Sequence, residues 1–154
     1  ISSTSGSNSP YSFAINVEGF HTLNSWRQLY YGTVLNEGAA ANLADGNGDL
    51  ITNLQAFALG LDPTVNSVYP LEIESVSENE FTAVYTRSVF AEGQGILFEV
   101  EWSDEMPNSS WSTLGVTQTV IETLDDRERV RITVPTGGNP KRFMRLRISE
   151  AAEP

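Results

Sequence analysis

The stretch D-G-N-G-D-L-I-T-N-L-Q-A-F-A-L-G-L-D-P, residues 45–63, divides the chain into a helical part before it and a strand-rich part after it. Its first half sets Asp45, Asn47 and Asp49 at alternate positions with glycines between them. Short oxygen-bearing side chains and glycines favour a tight turn. In its second half Leu54, Phe57, Ala58 and Leu61 recur at helical spacing, and Gly60 can end that helix. Asp62-Pro63 closes the helical region, because proline lacks the N–H a helix needs. A lead-in of short helices and a body of strands is the expected layout.

Working towards the N-terminus, residues 22–32, T-L-N-S-W-R-Q-L-Y-Y-G, place Leu23, Trp26, Leu29 and Tyr30 on one helical face, with Gly32 as the stop. With the loop N-E-G-A-A-A-N and the helix after Asp45, this predicts a helix–loop–helix over residues 21–66. His21, the single histidine, stands at its start, where a surface or capping role is the ordinary one. Residues 1–20 form a tail and a strand. The first ten have the composition of a flexible linker. Tyr11, Phe13, Ile15 and Val17 then alternate on one face, as a strand would show them. Such a strand pairs within its own sheet or adds to the sheet edge of another subunit, so self-association through this tail is an expected partner mode.

Working towards the C-terminus, residues 67–154 read as strand and turn. Alternating runs occur at 71–76, 81–86, 96–102, 111–114, 119–123, 129–134 and 143–148. S-E-N-E, A-E-G-Q-G, M-P-N-S-S, L-D-D-R-E and P-T-G-G-N-P punctuate them. About seven short strands at this spacing predict a mainly β chain, an antiparallel β-sandwich of Ig-like type.

The oxygen-rich turn has the spacing of an EF-hand-like calcium loop, in which positions 1, 3 and 5 offer side-chain oxygens, position 7 a carbonyl and position 9 a further ligand. Counted from Asp45, these are Asp45, Asn47, Asp49, Ile51 and Asn53, and calcium is the expected cofactor. Two positions depart from that pattern. Leu50 stands where the loop turns sharply and glycine is usual, and Ala56 stands where a bidentate Glu is usual. Gln55, Asp62 or a carboxylate outside the loop are the candidate replacements. The competing reading is a turn that caps a helix without an ion.

Composition narrows the function. A net charge of −11 opposes nucleic-acid binding. Residues 1–126 carry 2 Lys+Arg against 17 Asp+Glu, and residues 127–154 carry 7 against 3. The C-terminal strands should therefore lie beside acidic strands from earlier in the chain. No apolar run reaches the length of a membrane span, and zero cysteines exclude disulfides and thiolate chemistry. Catalysis is not expected. Glu99 and Glu101 fit the polar face of a strand, Asp125-Asp126 fits a hairpin turn, and no nucleophile accompanies His21. Polysaccharide binding on Trp102, Trp111, Tyr85 and Phe90 is the alternative, although Trp102 and Trp111 read as core residues.

Taken as an ordered set, Trp26, Arg27, Tyr31, Gly32 and Thr33, then Asn36, Gly38, Ala40 and Ala41, then residues 45–63, carry a resemblance. Phe98, Val100, Glu101, Ser103 and Trp111 continue it, and residues 142–148 close it. Over about residues 23–149 the chain resembles a recurring C-terminal module of large secreted and surface proteins of environmental bacteria. Its loop resembles thrombospondin type 3 and dockerin-type calcium repeats. The resemblance implies a calcium-associated, extracellular, non-enzymatic module. The expected function is structural or adhesive, in a surface protein or a self-assembling, filament-like extracellular subunit.

Overall fold

Two antiparallel sheets face each other in the computed structural model, which describes residues 22–106 and 110–152. Helix α1 (Leu23–Tyr31) and helix α2 (Asn53–Leu59) precede six strands among the described residues. These are β1 (Leu71–Val76), β2 (Glu80–Ser88), β3 (Ile96–Ser103), β4 (Thr117–Leu124), β5 (Arg127–Pro135) and β6 (Phe143–Glu150). The larger sheet has the order β1-β2-β5-β4, and the smaller is the pair β3-β6. The chain is thus mainly β and sandwich-like, with the helices packed at one end. The expected strand at 111–114 does not form. That segment contributes a single bridge, Ser112 to Trp102, and then turns through Thr113 to Val116. The expected strand at residues 11–17 lies outside the described residues.

Both helices start and stop by the same local chemistry. Thr22 and Thr52 are N-caps whose hydroxyls accept from the backbone N–H three residues on, and Ser25 and Gln55 reach back to close capping boxes. Gly32 and Gly60 end the helices in left-handed conformation, at φ 69° and 68°. Gln55 is therefore spent on the cap and is not free to replace a missing ligand.

The core is continuous from the helices into the sandwich. Leu23, Trp26, Ile51, Leu54, Phe57 and Ala58 pack with Ala91 and Ile96 at the helical end. Leu59, the last residue of α2, sits instead among Tyr85, Val100, Val130, Ile132 and Val134 between the sheets. Leu61, Tyr69, Phe98 and Ile148 pack against both clusters and so join residues 22–66 to the sandwich.

The charge asymmetry of the sequence resolves into strand pairing. Glu99 and Glu101 on β3 stand directly opposite Arg147 and Arg145 on β6 and form ion pairs with them. In the larger sheet Arg129 pairs with Glu122 and Arg131 with Glu74. These pairs are half-exposed and each contributes little to stability. The pairs on β3–β6 and β4–β5 join adjacent strands, while Arg131–Glu74 reaches from β5 past β2 to β1. Asp125 and Asp126 form the β4–β5 turn, where Asp125 takes φ 52°.

Candidate cation loop and apolar groove

Residues 45–53 lie between the two helices as a loop held by its own side chains. The Asp45 carboxylate accepts from the backbone N–H groups of Gly48 (2.8 Å) and Leu50 (2.9 Å). Asp49 accepts from Ile51 N–H (2.9 Å) through one oxygen, and from Ser67 N–H (2.9 Å) and Asn47 Nδ2 (3.0 Å) through the other. Asn47 also donates to the Val65 carbonyl (3.1 Å). The segment following α2 therefore closes over the loop like a strap. The Ser67 N–H, first among several hydrogen bonds, holds the Asp49 carboxyl below the usual carboxylate range.

Leu50 takes φ 69°, the conformation for which glycine is usual, and leaves its side chain 89% exposed. Its strain costs about 1–2 kcal/mol, and its exposed side chain recovers nothing by packing. Leu50→Gly is expected to raise stability by about 1 kcal/mol, less the entropy that glycine loses on folding, and a thermal melt measures the gain.

The loop offers calcium an incomplete set of ligands. Asp45, Asn47, Asp49 and the Ile51 carbonyl occupy positions 1, 3, 5 and 7. Asn53 does not join them. Its Nδ2 donates to the carbonyls of Ala39 (2.8 Å) and Ala41 (2.9 Å), and its Oδ1 accepts from the Tyr31 hydroxyl (2.5 Å). Ala56 is buried in the core and carries no oxygen. Asp62 accepts from the N–H and hydroxyl of Thr64 through its Oδ1. Among the described residues no group of three or more His, Cys, Asp or Glu side chains converges on one point. A cation here would meet two carboxylates, an amide and a carbonyl, and both carboxylates already accept hydrogen bonds from backbone N–H groups.

Sequence reasoning overlooked the polar knot behind the loop. Arg27 is buried, and its guanidinium donates to the Ala40 carbonyl (3.3 Å), to Asn24 Oδ1 (3.0 Å) and to Asn42 Oδ1. Burial pulls its pKa down, opposed by the charge of Glu150. The Asn42 backbone N–H is held by Asn36 Oδ1 (2.7 Å). This knot ties α1 to the loop, with Asn53 as its second anchor. One signal was available: Arg27 lies four residues after Leu23, on the stripe that α1 buries.

Acid should loosen these contacts in a defined direction. Arg131 holds Glu74, and Arg142 holds Asp104, below the usual carboxylate range, as Ser67 does Asp49. A carboxyl with a depressed folded value contributes stability above its unfolded value, near 4, and loses it as pH falls through the folded value. The melting temperature is expected to hold from pH 6 to about 4 and to fall below that. In Asp49→Asn that fall should be shallower in a pH series of melts.

Of the aromatic residues considered for sugar binding, Tyr85 is buried, while Phe90, Trp102 and Trp111 are half-buried and an arginine lies over each tryptophan. Tyr85 is fully buried and donates to Gln118 Oε1 (2.8 Å). The Arg142 guanidinium lies 3.5 Å from the Trp102 ring centre, and that of Arg145 lies 4.1 Å from the Trp111 ring centre. Trp111 is not the core residue its position suggests. It stacks on Arg145, a residue of the outward, ion-paired face of the smaller sheet.

A groove of about 790 Å³ lies elsewhere, between β1 and the start of β6. Leu71, Ile73, Val76, Phe81 and Met144 supply its apolar walls, and Lys141 and Arg142 its rim. A bulge between Ile73 and Ser75 keeps Val76 on the face of Leu71 and Ile73, opposite Phe81, Ala83 and Tyr85. No helix among the described residues is long and apolar enough to cross a membrane. Set against family models, curated proteins and solved structures, the chain matches none of them.

Proposed function

We propose that this chain is a non-enzymatic structural and interaction module of an extracellular or cell-surface protein, or of a self-assembling extracellular subunit. The observation that carries the reading is the groove: an apolar surface between two strands, β1 and β6, each with a sheet partner on one side only among the described residues. Surfaces of this kind bind other chains by strand addition. The carboxylates that could serve as an acid–base pair, Glu99 and Glu101, are instead matched to arginines across β6.

Calcium enters this reading as an accessory. A loop with two carboxylates and water-completed coordination suits the weak, 10⁻⁴–10⁻³ M range of extracellular modules. Its ligands are Asp45, Asn47, Asp49 and the Ile51 carbonyl. Extracellular placement rests on that affinity range and on the resemblance in sequence. The alternative, a carbohydrate-binding module, requires Arg142 and Arg145 to leave the two tryptophan faces. Sedimentation of the full chain with and without a panel of soluble polysaccharides tests the choice. Concentration-dependent association without sugar is the expected result. A monomer that sediments with one polysaccharide would overturn it.

A further inference from the structure

We infer that the groove between β1 and β6 is the seat of residues 11–17 from a second copy of this chain, which add to β6 as the third strand of the smaller sheet. The inference deepens the interaction-module reading and rests on it. The larger sheet has four strands and the smaller has two, and among the described residues the inward face of β1 is left uncovered beyond Leu71. Ile73 and Val76 point to that inward side yet are 69% and 73% exposed. β6 lies nearer β1, since Met144 and Arg142 share the groove with Leu71, Ile73 and Val76. β3 lies nearer β4, since the Phe98 carbonyl accepts from Gln118. A strand laid beside the first half of β6 would therefore lie directly over the uncovered residues. The second half of β6 is occupied by α2 and the loop at Asn42.

The chain contains one segment of matching form. Tyr11, Phe13, Ile15 and Val17 alternate with Ser12, Ala14 and Asn16, apolar on one face and small or polar on the other. Seven residues span about 23 Å as a strand, against about 20 Å for the six of β1. Residues 18–21 follow this segment and lead to Thr22, the N-cap at the start of α1. That start is held at the opposite end of the sandwich from the groove's floor, with Leu23 N–H on Gln94 (3.4 Å), just before β3. Residues 18–21 alone join Val17 to Thr22, and α2 packs on β2 and β6 between that point and the groove. A neighbouring copy meets no such obstacle. The contact joins two different surfaces, so it propagates head to tail into a fibre or a ring.

Two full-length variants test this by complementation. Phe13→Asp with Ile15→Asp removes the donor strand and leaves the groove. Ile73→Asp with Val76→Asp spoils the groove at exposed positions and leaves the donor. By light scattering, the unmodified chain should form species of many chains, each variant alone should be monomeric, and their mixture should yield a two-chain species. Near-ultraviolet dichroism checks that each variant stays folded. A monomeric unmodified chain would overturn the inference, as would undiminished assembly of either variant. Variants that lose fold individually without forming a two-chain species on mixing would place the strand in its own copy and also overturn it. The interaction-module reading fails by a different result, sedimentation of a monomer with polysaccharide.

Discussion

Asn53→Asp is expected to destabilise the protein by about 3–5 kcal/mol, equally in calcium and in chelator. The wild-type amide donates to two backbone carbonyls and accepts from Tyr31 in a buried site. A carboxylate would turn an oxygen on those carbonyls and place an unpaired charge in the interior, and protonation to escape the charge would still lose a donor. For a chain of this size that loss corresponds to a fall in melting temperature of about 10 °C or more. The substitution separates two roles of one residue. A ligand at the ninth position of a calcium loop would gain from a carboxylate, so a variant stabilised selectively by calcium would contradict the structural role assigned to Asn53.

Leu59→Ala is expected to cost about 2–5 kcal/mol, the range for deleting a fully buried leucine side chain. The residue has no exposed surface and carries α2 into the core between the sheets. Because the helices and the sandwich share that core, the loss should appear as one cooperative transition displaced to lower denaturant. Chemical denaturation followed by tryptophan fluorescence and by far-ultraviolet dichroism reports on the two parts. Transitions that separate by probe would show that the helical lead-in unfolds independently.

Most of the strands could be read directly. Ile96, Phe98, Val100 and Trp102 alternate with Glu99 and Glu101, and the alternation predicts both the strand and the arginines opposite it. The W-S-T-L segment misled for a local reason. Its aromatic and β-branched residues favour a strand, but Ser112 Oγ accepts the Leu114 N–H and Val116 N–H returns to Thr113, so the segment turns after a single bridge. The spacing of Asp45, Asn47 and Asp49 marks a loop pattern whose sharp turn falls at Leu50, and Leu50 takes positive φ there. That spacing could not show which way Asn53 leaves the first turn of α2, and packing against Ala39 and Ala41 decided that. The groove was illegible for a different reason. It arises from four strands facing two, a property of sheet pairing that no single segment carries.

The most direct test of the account is a pair of thermal melts of the full chain, one in millimolar calcium and one in excess chelator. Hydrogen bonds from Gly48, Leu50, Ile51 and Ser67 already close the loop, so a cooperative transition is predicted in both. Weak binding should add about 1 kcal/mol in calcium, a rise of a few degrees. Loss of the cooperative transition in chelator would contradict the account, because the loop would then depend on its ion rather than on the side chains that now hold it.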